Sequence, residues 1–150
     1  MKNLVRFILA LSLSISAFAH AADGLIVLRS SYSVDETMNR LEESVKQRGL
    51  NVFARIDHAA GAASIGKKLR PTQLLIFGNP QGGTPFMECA QTVGIDLPLK
   101  ALAWEDAHGQ VWLGYNDPSY LARRHGVASC PQAASLGKAL AGLMQASLAK

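Results

Sequence analysis

Four histidines and two cysteines are the side chains of this sequence best suited to proton transfer, metal ligation or redox chemistry. His58 follows Asp57 at the end of an alternating run, where binding residues often collect. His125 falls in the last turn of a helical stretch, a place that favours a cation through the helix dipole whether or not chemistry occurs. His108 lies in the turn "AHG", and His20 lies in the N-terminal leader. General acid–base catalysis needs a histidine oriented by a carboxylate. Asp57 and Glu105 are the candidates to orient His58 or His125. The competing reading makes His58 a surface or capping residue and leaves His125 to balance the dipole. Met87, Cys89, His58 and His125 have the ligand types of a soft metal such as copper. Nothing in their spacing demands one, so no metal or cofactor is expected.

Two glycine-rich stretches are candidate phosphate sites. In "LLIFGNPQGGTPFM" (74–87) the spacing departs from G-x-G-x-x-G, and Pro80 and Pro85 remove two backbone donors. A tight turn leaving a strand, with glycines that let a ligand approach the backbone, is the simpler expectation. "GAASIGKK" places Gly61, Gly66 and Lys67 at P-loop spacing, but Lys68 stands where a magnesium-binding hydroxyl belongs. No G-x-S-x-G nucleophile motif is present. Cys89 and Cys130 fit neither a CxxC motif nor a zinc site. Two readings stand for them: a disulfide, which an oxidising compartment would preserve, or two buried, inert thiols.

The elements that must position these residues follow from hydrophobic periodicity. "GLIVLRS" (24–30) reads as a strand. "SVDETMNRLEESVKQRG" opens with Ser33 and Glu36 in capping-box register, carries Val34, Met38, Leu41 and Val45 as one stripe, and stops at Gly49. "LNVFARID" alternates, with Leu50, Val52, Ala54 and Ile56 expected on the core face and Asn51, Phe53, Arg55 and Asp57 opposite. A short helix capped by Asp57 and ended by Pro71 comes next, then the apolar strand "TQLLIFG". "PFMECAQTVGIDLP" reads as a helical turn or two running into a loop. "LKALAWED" and "QVWLGYND" form a hairpin around Gly109. Lys100, Leu102, Trp104 and Asp106 share one of its faces, with Trp112 and Asn116 on one face of the partner strand. That face is either a binding platform or a simple cross-strand tryptophan pair. Asp117 and Pro118 open a helix closed by Gly126, and Pro131 opens another with Leu136, Leu140, Leu143, Met144 and Leu148 on one side. This order predicts an α+β fold with a mainly antiparallel sheet of four to five strands.

The first residues have another purpose. Lys2 and Arg6, the apolar "ILALSLSISAF" and the small residues of "AHAAD" make a signal peptide, with cleavage expected after Ala21 or, second, at "AFA". The apolar stretch is too short and serine-rich for a comfortable membrane span. Residues 22–150 then form one domain in the periplasm or outside the cell, with no stable membrane span. Loss of Lys2 and Arg6 lowers the formal net charge of +4 by two, and the remaining basic residues are scattered. Neither feature suits a nucleic-acid partner.

"RPTQLLIFGNPQGGTPFM", "GIDLPLKALAWED" and "VWLGYNDPSYLARRHG", in that order, resemble the domain-of-unknown-function family 302 of bacterial and archaeal proteins. The resemblance covers about residues 24–127, short of the leader and the last helix. It implies an α+β domain with helices packed on an antiparallel sheet, paired as a homodimer, and it supplies no reaction. By matching positions it marks Asp57, His58, Asn79, Thr84, Lys100, Glu105, Tyr115, Asn116 and His125 as ligand-binding candidates. Cys89 and Cys130 are outside the matched pattern.

Three functional expectations follow. The first is an exported module that holds a small ligand or an envelope protein. The second is an enzyme using His58 or His125. The third is a dimerising structural protein of the envelope with no pocket.

Overall fold

The computed structural model describes residues 22–150; the leader, both candidate cleavage positions and His20 lie outside the described residues. The chain runs β1 (Leu25–Ser30), α1 (Val34–Gln47), β2 (Asn51–Asp57), α2 (His58–Ser64), β3 (Thr72–Gly78), α3 (Pro80–Cys89), a 3-10 turn (Gln91–Ile95), β4 (Leu99–Glu105), β5 (Val111–Asn116), α4 (Pro118–Arg124) and α5 (Pro131–Leu148). The strands form one sheet in the order β1-β5-β4-β3-β2. Every neighbouring pair is antiparallel. The fold is therefore α+β, as the element order predicts, and α1 links strands at opposite edges of the sheet.

Helix α1 begins where its cap requires: Ser33 Oγ accepts from the Glu36 backbone N–H at 3.2 Å. Its stripe of Val34, Met38, Leu41 and Val45 is buried. So is the stripe of α5 at Leu136, Leu140, Leu143 and Met144. These two helices cover one face of the sheet, packing on Leu75, Phe77, Ala101, Ala103, Leu113 and Tyr115. The short side chains of Ala101 and Ala103, on the middle of the sheet, leave room for the larger groups above them.

Strand β2 departs from simple alternation. A register shift between Val52 and Ala54 reverses the faces of everything after it. Val52 stays with the core. Arg55 then turns toward α1, donating to Gln73 Oε1 at 2.9 Å and Asn39 Oδ1 at 2.7 Å. Ile56, expected inside, is exposed. A one-residue bulge carries no sequence signal comparable to a cap, so the period-2 reading fails only beyond it.

The segment after β3 is also more ordered than a tight turn. Asn79 Oδ1 accepts from Gly82 N–H at 2.9 Å, and α3 starts at Pro80. The helix thus takes in the glycine pair that was expected to be loop. Helix α2 ends well before Pro71, its exit eased by Gly66 at φ +70°. A second apolar cluster lies beneath α3, the 3-10 turn, α4 and the start of α5, built on Phe86, Val93, Leu121, Ala122, Ala133 and Leu136. A Cys89–Cys130 disulfide borders it, with Cα atoms 6.1 Å apart.

At the hairpin, Trp104 and Trp112 are direct cross-strand partners. Gly114 admits the Trp104 ring, since a Cβ there would stand 2.9 Å from it. Asp106 Oδ1 accepts from the backbone of His108 (2.8 Å) and Gln110 (3.0 Å), and Oδ2 from Trp112 Nε1 (2.8 Å). The Trp112 bond is the main reason its carboxyl pKa lies below the ordinary value; slight burial opposes it and the backbone donors assist.

Two predictions follow. The bridge closes a loop with a sequence separation of 41, for which chain entropy gives about 4 kcal/mol. Replacing both cysteines with serine should lower the unfolding free energy by roughly that amount in denaturant titration, and reductant should do the same to the native chain. A carboxyl with a depressed folded pKa stabilises above its unfolded value and loses that contribution as pH falls through the folded one. Acidification from about pH 6 to about pH 2 should therefore cost the native chain more stability than Asp106→Asn. Equal losses would mean that the Asp106 carboxyl is no more acidic in the folded chain than in the unfolded one.

Candidate functional site

An apolar groove of about 740 Å³ opens between α3 and α5 at the end of the sheet where β3 stops. One wall is α3 with its lead-in: Asn79, Gly82, Gly83, Thr84 and Met87. The other is a flank of α5, from the exposed Ser135 and Ala139 through Gln132 to the edge of its buried stripe at Leu136 and Leu140. Leu50, Phe53, Leu97, Leu99 and Leu143 complete it. The β2 bulge falls at Phe53, which lines the groove and is 57% exposed. The volume lies within the range of small-molecule sites, as does the mixture of many apolar groups with a few polar ones.

The start of α3 explains why this groove is no phosphate cradle. Pro80 has no N–H, Gly82 N–H is held by Asn79 Oδ1, and Gly83 N–H by the Asn79 carbonyl. Helix starts bind anions through free N–H groups, and here proline and the cap remove all but that of Gln81. Gly82 and Gly83 instead present bare backbone, which widens the groove.

The structure separates the sequence-selected residues. Asn79 and Thr84 line the groove. Lys100 lies nearby but turns its Nζ onto the carbonyls of Asp96 (2.9 Å) and Pro98 (2.8 Å). Burial lowers its pKa, partly offset by Asp96. Tyr115 is buried in the main core, where burial and then the Asp117 charge raise its pKa. Asn116 is exposed at the end of β5. Asp57, His58 and Glu105 occupy the opposite end of the sheet, where Asp57 caps α2 by accepting from Ala60 N–H at 2.9 Å. The strand ends therefore do not assemble all nine into one pocket.

His125 does meet a carboxylate, but it is Asp96 rather than Asp57 or Glu105. Its Nε2 lies 2.7 Å from Asp96 Oδ2 and its Nδ1 lies 2.9 Å from Thr92 Oγ1. Arg124 occupies the other Asp96 oxygen at 2.9 Å. With both ring nitrogens engaged and its side chain 8% exposed, His125 ties α4 to the 3-10 turn and does not line the groove. His58 is exposed at the far end. The soft-metal set is likewise dispersed: Cys89 is in the disulfide and Met87 in the groove. Among the described residues, no group of three or more His, Cys, Asp or Glu could hold a metal ion.

Sequence reasoning missed Arg48, the α5 wall and Asp96. The paired glycines 82 and 83 were the one local signal for the groove. Asp96 and His125 are 29 positions apart, and no spacing rule joins them. The sheet has a second feature of note. On the face away from α1 and α5, Leu74, Ile76, Leu102, Trp104 and Trp112 are half-exposed side by side.

Comparison with known proteins agrees with this architecture. A crystal structure of an uncharacterized conserved DUF302 protein from Bacillus stearothermophilus superposes with a TM-score of 0.76 at 26% identity, covering 84% of this chain and 99% of that one. Proteins named fluoride-specific ion channel FluC 1 from Brucella suis and Brucella abortus are each 54% identical over 102 residues. Those matches take in 68% of this chain but only 40% and 38% of the relatives, so the chain spans about two fifths of their length. Among the described residues no helix is long and apolar enough to cross a membrane. The family described as "Domain of unknown function DUF302" matches residues 26–147, so the last helix, which the sequence motifs left outside the resemblance, lies inside the match up to Ser147. This chain belongs to the DUF302 family.

Proposed function

We propose that the chain is an exported binding module whose α3–α5 groove holds a small, largely apolar molecule. The groove itself carries this reading: its walls are mostly aliphatic, and water in contact with such walls is readily displaced by an apolar ligand. Export is supported by the leader sequence and by a disulfide of the kind that persists in oxidising compartments. A histidine-based enzyme is less well supported, because His125 is closed off by Asp96 and Thr92.

The half-exposed face carrying Trp104 and Trp112 suits a second copy of the chain, and we propose it as the homodimer surface. Contiguous apolar area of this kind commonly marks an interaction site. The relatives named as fluoride channels favour one further reading, in which the module works beside a membrane protein of the envelope. Fluoride itself suits the groove poorly, because leucine side chains cannot replace the hydration of a small anion.

Two experiments test these readings. Apolar probes should raise the melting temperature of the purified chain, and Ser135→Trp, which fills the groove from an exposed position, should abolish the rise while leaving the probe-free melt unchanged. An equal rise in the variant would place binding elsewhere. Light scattering should give a dimer mass for the native chain and a monomer mass for Ile76→Lys; a native monomer would rule out the proposed interface.

A further inference from the structure

We infer that the groove takes an amphiphile with an aliphatic body and a single acidic head, the head seated against Arg48; this rests on the groove being the binding site. Arg48 follows α1 and reaches the groove's edge, where its guanidinium donates to the Ala139 carbonyl at 3.3 Å and the Gly142 carbonyl at 2.9 Å on α5. A guanidinium carries five N–H donors in a rigid plane. Those two bonds fix its orientation and leave donors for a ligand.

The charge around the groove is one-sided. Among the described residues lining it, Arg48 is the only charged one, and none of them is a carboxylate that could neutralise a ligand's cation or occupy the arginine. A positively charged ligand would meet only repulsion, whereas a carboxylate or sulfate would gain a charge-assisted pair of bonds. The remaining polar groups offer less. Asn79 is committed to capping α3, and the Gln132 amide donates to the Gly82 carbonyl at 3.3 Å.

The interior specifies the body of the molecule. Leu97, Leu99, Leu136, Leu140, Leu143 and Met87 are flexible aliphatic groups, and Phe53 is the only aromatic residue among the described residues of the lining. Among the described residues the lining has no paired aromatic surface to stack a flat heterocycle, and besides Asn79 and Gln132 its neutral polar side chains are Gln81, Thr84 and Ser135. An alkyl or alicyclic body matches these walls, with the acid at the exposed end where Arg48 stands.

Calorimetric titration of the whole exported chain with decanoate, decanol and decylamine tests the assignment. Decanoate should bind at least about tenfold more tightly than decanol, with decylamine weakest. Arg48→Gln should reduce decanoate to the level of decanol and leave decanol unchanged, so that the decanol arm reports on the integrity of the variant's groove. Arg48→Lys should recover part of the preference. Equal affinities for decanoate and decanol, both lost in Ser135→Trp, would overturn the acidic-head inference while the groove stood as an apolar site. Binding of none of the three would overturn the inference and the groove reading together.

Discussion

The fact on which the rest of the structure depends is that a five-stranded antiparallel sheet is covered by helices on one face only. Five strands at about 4.8 Å spacing make a layer about 24 Å wide. Two packed helices at about 10 Å each cover most of that width but leave its margins open. Helices α1 and α5 bury the central apolar residues, Leu75, Phe77 and Leu113 among them. What they leave at the end of β3 becomes the groove, and the opposite face keeps its tryptophan pair half-exposed. Both proposed binding surfaces are thus places where apolar area exceeds the helical cover available.

The second cluster turns that remainder into a defined shape. Phe86, Val93, Leu121 and Leu136 fix α3, the 3-10 turn and α4 against α5. The Cys89–Cys130 bridge joins the end of α3 to the start of α5, which are the two walls of the groove. Asp96 adds a polar clamp, holding His125 and Arg124 together. These groups are fully occupied with one another. His125 and the two cysteines therefore serve as joints, and the proposed recognition is left to backbone, aliphatic walls and one arginine.

Much of the fold was legible because its signals are local. The Ser33 cap, the stripe from Val34 to Val45 and the Asp117–Pro118 start each act within a turn or two of chain. The same cap-and-proline pattern stood at Asn79–Pro80, but Gly82 and Gly83 are poor helix formers and hid it. The β2 bulge was invisible because it depends on pairing with β3, and it reversed Arg55 and Ile56. The site was much less legible. Asn79 and Thr84 were singled out and do line the groove, while Arg48 and Ala139 meet only through the packing of α1 beside α5. Such meetings are set by tertiary distance, for which one sequence holds no period.

The central claim, that recognition happens between α3 and α5, is tested most directly by mapping where an apolar probe sits. Backbone amide shifts recorded while decanoate is added should move at Gly82, Gly83, Thr84, Gly94 and Ala139, with the amides of Leu102, Trp104 and Trp112 unmoved. Shifts confined to the tryptophan face, or spread evenly over the surface, would contradict the account.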